Sequence, residues 1–191
     1  GGDHASFAKR KKESRKAGKL RGIAVGSYLE VTAPPSGELG KITFQPDGTV
    51  KLTTGTLDYG QGHATPFAQV LSAQLGVPFE KITLEQNDSD LVRFGNGTGG
   101  SRSITATGQA IVEASALVVA KGKQAAAHLM EASEGDIEFA QGRFTIAGTD
   151  RSIGIMELAQ RVREGKMPEG APRSLDVDHA TKETPSTFPN G

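Results

Sequence analysis

The chain has 191 residues, 36% of them apolar and only 5% aromatic, with 25 glycines and no cysteine or tryptophan. Lysine plus arginine and aspartate plus glutamate balance at 22 each, so no net field draws the chain to nucleic acid or to a membrane surface. The lack of cysteine excludes disulfides, thiolate metal sites, iron–sulfur ligation and cysteine nucleophiles, and no apolar run approaches the roughly 20 residues of a transmembrane helix.

The length fits one domain or two small ones. The chain opens Gly1-Gly-Asp-His without methionine, which predicts a processed product or a fragment. Residues 4–19 predict a charged helix, in which Lys9, Arg10, Lys11, Lys12, Glu13, Arg15 and Lys16 surround Phe7, and Gly18 offers a C-terminal cap. Such a run reads first as a solvated face and second as a phosphate or RNA contact. Residues 20–32 read as a strand, with Leu20, Ile23, Val25, Tyr28, Leu29 and Val31 among small residues. The run 33–37 reads as a loop. A hairpin follows: Ile42 and Phe44 alternate on one arm, Val50 and Leu52 on the other, around Pro46-Asp-Gly48.

Residues 63–75 predict a helix, because Phe67, Val70, Leu71 and Leu75 form a one-sided stripe that Gly76 ends and Pro78 forbids to continue. Residues 81–86 read as a short strand and 87–100 as a long polar connection. The longest helix is predicted at about 104–130, alanine-rich, with Ala110, Ile111, Ala114, Leu117, Val118, Ala125 and Leu129 on its apolar face. A second hairpin at 136–146 pairs Ile137 and Phe139 with Phe144 and Ile146 across Gln141-Gly142, and 153–164 predicts a short helix. From 165 onward Pro168, Pro172, Pro185 and Pro189 break the chain into loop. These elements imply an α+β fold: a mixed sheet and hairpins packed on one long and two shorter helices, in a single domain whose residues 165–191 are mostly loop or tail.

Two glycine-rich turns carry the chemistry. Gly60-Gln-Gly-His-Ala-Thr65 enters the helix at 63–75, where unpaired N–H groups and a partial positive charge suit an anion. Gln61 adds an amide that can donate or accept. The competing account is a plain strand-to-helix turn capped by threonine or histidine. Gly97-Thr-Gly-Gly-Ser-Arg-Ser103 opens the long helix with glycine N–H groups, hydroxyls and one guanidinium, a set that suits phosphate oxygens. Its competing account is a flexible loop with a serine cap. The two turns read as halves of one anion-binding site. His4, His63, His128 and His179 share no metal-ligand spacing, and Asp58, Glu85, Asp88 and Asp90 read as solvated or capping carboxylates. Ser101 has no evident base partner for a nucleophilic role. On these grounds alone a stand-alone nucleotide or phosphate-ligand module remains open, as does a structural piece that binds nothing without its neighbours.

The order Gly-Gln-Gly-His-x-Thr, helix, strand, then Gly-Thr-x-Gly-Ser-Arg-Ser at a long helix resembles the large subunit of molybdenum hydroxylases. This is the xanthine dehydrogenase and aldehyde oxidase family, with carbon monoxide dehydrogenase large subunits the nearest type. Lys12-Glu-Ser-Arg15 with Gly18-Lys-Leu-Arg-Gly22, Asp136-Ile-Glu-Phe139 with Gly142-Arg-Phe144, and Thr187-Phe-Pro-Asn-Gly191 extend the likeness over nearly the whole chain. The resemblance implies part of the second cofactor-binding region of a cytoplasmic oxidoreductase. It hydroxylates aldehydes or heterocycles, or oxidises carbon monoxide, with water-derived oxygen. The implied cofactor is molybdopterin, as such or as a dinucleotide. Gln61 matches the glutamine beside the molybdenum oxo group, with Gly62 and His63 lining the cofactor; Gly100, Ser101, Arg102 and Ser103 match the loop around the pterin or phosphate end. No catalytic residue and no direct metal ligand is assigned.

Ala64 stands where carbon monoxide dehydrogenase-type members often carry an acid. The family's Gly-Gly-Gly-Phe-Gly, Ala-Tyr-Arg and terminal Gly-Glu stretches do not occur in the sequence. The expectation is therefore a middle-to-late piece of a large subunit, or a split subunit, inactive in isolation. Its expected partners are the remainder of the large subunit and iron–sulfur and flavin subunits or domains. Surfaces meant for those partners would also favour self-association.

Overall fold

The computed structural model describes residues 4–32 and 36–188. The expected loop at 33–37 and the expected lead at 187–191 therefore fall partly outside the described residues. The chain divides into a small unit up to Glu30 and a main unit from Val31 onward.

In the small unit, α1 (Phe7–Lys16) forms within the predicted span; none of its residues is fully buried, as its thin apolar stripe requires. The predicted strand at 20–32 does not form among the described residues. Leu20, Val25 and Tyr28 are 94%, 83% and 82% exposed. Strand-forming side chains alone make no strand: a ladder needs a neighbouring edge to satisfy its N–H and C=O groups, and among the described residues 20–32 pair with no strand.

The main unit is built on a four-stranded sheet in the order β3-β2-β1-β7. Strands β1 (Leu39–Phe44) and β2 (Val50–Thr53) form the first predicted hairpin, in register Ile42 opposite Leu52 and Phe44 opposite Val50. The chain then crosses through α2 (Ala64–Leu75) and returns as β3 (Ile82–Glu85), which pairs with β2 in parallel. Phe67, Leu71 and Leu75 of α2 are fully buried, each worth about 1.5–3 kcal/mol of burial. Gly76 ends α2 in the left-handed conformation, its N–H donating to Ser72 O at 2.8 Å. The fourth strand, β7 (Val177–Ala180), lies within the stretch read from sequence as mostly loop and pairs antiparallel with β1. Its short alternation, among prolines and charges, gave no periodic signal strong enough to find it.

The long helix α3 (Ser103–Met130) is the spine, packed against α2, β1, β7 and a second sheet. That sheet holds β4 (Ile137–Ala140), β5 (Arg143–Ile146) and β6 (Ser152–Gly154), all antiparallel, and is followed by α4 (Ile155–Arg163). The predicted helix at 153–164 thus begins two residues later, because Ile153 is spent as a strand residue opposite Phe144. An 18-residue window of α3 has a mean hydropathy of 1.3, long and apolar enough to cross a membrane by length and composition. The burial of its alanine-rich face, Ala110, Ile111, Ala114 and Val118, explains that composition. The architecture is the α+β arrangement expected.

Candidate cofactor-binding site

The parallel pairing of β2 with β3 fixes where the site lies. Thr53 stands opposite Glu85, so both strands end at the same edge of the sheet. The two glycine-rich loops leave those two carboxyl ends, the usual place for a ligand in a βαβ arrangement. There they form one open groove of about 400 Å³, lined by Gln61, His63, Pro66 and Phe67 from the first loop and α2, and by Thr98, Gly99, Ser101, Ser103 and Ile104 from the second.

The backbone of the first loop is already engaged. Asp58 Oδ1 accepts the N–H groups of Gly60 (2.7 Å) and Gly62 (3.2 Å), and Oδ2 accepts that of His63 (2.7 Å). These bonds hold the Asp58 carboxyl below its usual range, with the Gly60 N–H contributing most. The start of α2 is therefore capped by Asp58 and by neither threonine nor histidine, whose side chains make no capping bond there. The N–H groups expected to face an anion serve this internal carboxylate. What remains for a ligand is side-chain chemistry. Gln61 Oε1 accepts the Tyr59 N–H, leaving the amide nitrogen without a partner among the described residues and available as a donor. His63 is 5% exposed and its ring stacks on Phe67 at 4.9 Å between centroids. Its Nδ1 is buried with no hydrogen-bond partner among the described residues. Buried polar atoms are nearly always paired, so such an orphan points to a missing neighbour.

The second loop is locked to the first through Thr98. Its Oγ1 accepts the Leu57 N–H and the Ser103 hydroxyl, each at 3.1 Å. With both acceptor positions used, the Thr98 proton can be donated into the groove. Gly100 (φ 59°) and Ser101 (φ 58°) both adopt the left-handed conformation, which for serine is strained and is found most often at binding loops. A further crossing point is backbone on backbone: a Cβ on Gly55 would lie 2.3 Å from Gly95 Cα. Beneath the groove a buried hydroxyl chain supports the strand ends. Gln86 Nε2 donates to Thr54 and Thr56, both at 2.9 Å, and Thr56 meets Thr107 of α3 at 3.2 Å.

Of the site residues expected from sequence, Gln61, His63, Ser101 and Ser103 line the groove, and Gly62 and Gly100 lie in its two loops. Arg102 does not share that lining. It sits in a small cleft with Thr105, Ala106 and Thr184, and its guanidinium donates to Asn96 O. Sequence reasoning named Asp58 only as a generic capping acid and missed the roles of Thr98, Gln86 and Glu38. Thr98 sits inside a motif already singled out and could have been found there. Nothing local marks Glu38, whose partners are distant in the chain.

Does this groove fit a pterin-type group with a phosphate tail? A donor amide, an orphaned imidazole nitrogen and three hydroxyls around an apolar floor of Pro66, Phe67 and Ile104 suit a flat polar heterocycle with an oxygen-rich end.

A groove of donors between two loops at the carboxyl ends of parallel strands suits a domain that binds a polar cofactor. The family model described as Molybdopterin cofactor-binding domain matches residues 2–191, and the chain belongs to that family. It is 33% identical over 151 residues to the carbon monoxide dehydrogenase large chain of Hydrogenophaga pseudoflava, covering 79% of this chain and 19% of that protein. It is 30% identical over 204 residues to the nicotine 6-hydroxylase large subunit of Paenarthrobacter nicotinovorans, covering 99% of this chain and 25% of that protein. The solved Cu,Mo-CO dehydrogenase in its carbon monoxide reduced state superimposes with a TM-score of 0.76 at 28% identity, over 97% of this chain and 26% of that one. The chain thus spans about a fifth to a quarter of the length of these relatives. The resemblance to molybdenum hydroxylase large subunits is borne out at the level of family.

Proposed function

We propose that this chain is the part of a molybdenum hydroxylase large subunit that holds one side of the molybdopterin cofactor, within an oxidoreductase that oxidises a small substrate with water-derived oxygen. The observation that carries the reading is the single groove in which Gln61 and His63 face Thr98, Ser101 and Ser103. When bound, the cofactor supplies the two-electron redox centre on which substrate is oxidised.

The chain's own residues bind and orient. Gln61, its carbonyl fixed by the Tyr59 N–H, offers its amide protons to an oxygen of the cofactor. His63 offers its unpaired Nδ1 to a polar edge of the ring system, and stacking on Phe67 fixes the orientation of that imidazole. The Thr98, Ser101 and Ser103 hydroxyls face the phosphate or nucleotide end, with Gly62 and Gly100 letting it approach closely. Arg102 acts from behind the second loop.

The remainder of the large subunit, iron–sulfur and flavin partners and a cytoplasmic location belong to the same proposal. The exposed apolar residues Leu20, Val25, Tyr28 and Leu29 support it, since they are spent on nothing within the small unit. The test is molybdenum content. In the natural polypeptide that carries this chain, a variant combining Q61A with S103A is expected to lose most of its molybdenum per chain while remaining folded. Full retention of molybdenum would overturn the reading. The 191-residue chain alone is expected to show no aldehyde or purine oxidation, and measurable turnover would refute that.

A further inference from the structure

Glu38 is a buried carboxylate that the proposed binding role does not use. It sits just ahead of β1 and is 1% exposed. Its backbone is pinned at the edge of β7: the Glu38 N–H donates to Thr181 Oγ1 and the Thr181 N–H donates to Glu38 O, both at 2.9 Å. With the main chain fixed, the side chain reaches toward the two site loops. Oε1 accepts the Leu39 N–H at 2.6 Å and the Gly55 N–H at 2.8 Å. The Asn96 backbone and the positive charge of Arg102 also act on the carboxylate.

Asn96 is held at two points: its Nδ2 donates to Gly37 O at 3.0 Å and its carbonyl accepts the Arg102 guanidinium. Gly55 opens the first loop and Gly95 to Arg102 form the second. One carboxylate therefore bonds the start of the first loop at the point where the backbones of the two loops already touch: a Cβ on Gly55 would also lie 2.5 Å from Glu38 Oε1.

We propose that Glu38 is a positioning residue: its carboxylate, bonded to the Gly55 N–H of the first loop and acting through Asn96 and Arg102 of the second, holds the Gly97–Ser103 loop in register with the first loop, so that Thr98, Ser101 and Ser103 face the cofactor's phosphate end. This rests on the binding role proposed for the groove. Burial outweighs the bonds to Leu39 and Gly55 N–H and the pull of Arg102, and it pushes the Glu38 carboxyl above its ordinary range. A charge held here therefore costs stability. Glutamine keeps one carbonyl oxygen in place of two acceptors and carries no charge for Arg102 to act on.

The experiment uses the cofactor-free natural polypeptide that carries this chain, with wild type, E38Q, R102A and the double variant compared. Two readouts are taken: calorimetric titration with inorganic pyrophosphate, and hydrogen exchange of the amides in 95–103. E38Q is expected to weaken pyrophosphate binding about tenfold and to speed exchange in 95–103 by a similar factor, the usual scale for losing a bond to a charged group. Global melting should be unchanged or raised. R102A is expected to mimic it, and the double variant to add little to either. Equal affinity and equal exchange in E38Q would overturn the proposal, as would a global loss of fold in place of local loosening. If wild type itself fails to bind pyrophosphate, the reading of the groove fails. The exchange of 95–103 still decides whether Glu38 holds the loop.

Discussion

Two glycines on one helix should respond oppositely to the same substitution. Gly122 and Gly108 both lie inside α3, where glycine is about 1 kcal/mol poorer than alanine. By propensity alone both G108A and G122A should stabilise. At Gly108 the added methyl meets only Ile104 Cδ1, at 3.9 Å, ordinary contact. At Gly122 it would stand 2.1 Å from Phe144 Cζ and 2.8 and 2.9 Å from the two Cε atoms. Phe144 is fully buried and its ring also packs on Phe139 at 4.6 Å, so it has little room to withdraw. Overpacking of this kind costs about 1–3 kcal/mol, and with three ring atoms inside contact distance the upper end applies. Subtracting the propensity gain leaves G122A about 1–2 kcal/mol less stable, which lowers Tm by about 2–8 °C in a chain of this size. G108A should raise Tm by about 2–4 °C. Thermal unfolding followed by circular dichroism measures both. F144L, which shortens the ring, should relieve part of the G122A penalty, so the pair should be non-additive. A G122A chain as stable as wild type would refute the packing of α3 against the second sheet.

Other outcomes follow from the groove. T98V keeps the shape but removes the acceptor of the Leu57 N–H and of the Ser103 hydroxyl, so it should cost about 1–2 kcal/mol in denaturant unfolding and weaken cofactor retention. An unchanged midpoint and full molybdenum content would refute the link between the loops. Asp58 has a folded-state carboxyl held below its unfolded value, so the order it gives the first loop is complete above the ordinary carboxylate range and is lost as pH falls through the depressed folded value. Amide exchange at Gly60, Gly62 and His63, corrected for intrinsic rates, should accelerate in that acid window and at all pH values in D58A; a flat profile would remove Asp58 as the cap. In the full natural polypeptide the amides of 20–30 should be protected, whereas in the 191-residue chain they should exchange as open backbone. Rapid exchange in both would mean that the exposed apolar segment is covered by nothing.

Much of this protein was legible in its sequence because the deciding physics is local. The stripe of Phe67, Val70, Leu71 and Leu75, stopped by Gly76, fixes α2; alanine content fixes α3; Pro46-Asp-Gly48 fixes the first hairpin. The two loops that form the groove were visible as glycine and hydroxyl clusters ahead of those helices, and the order of their motifs sufficed to reach the family. What the sequence left open depends on pairing between distant segments. The strand propensity of 20–32 made no strand, since propensity cannot supply a neighbour. The short β7 exists only because β1 offers it an edge. Parallel pairing of β2 and β3 brought the two loops to one end of the sheet, and within the second loop the Arg102 guanidinium turns to Asn96 O, outside the groove. Glu38 shows the limit best. Its partners lie at Gly55 and Asn96, and a carboxylate's role is set by which N–H groups surround it, a property of the folded chain that spacing along the sequence does not encode.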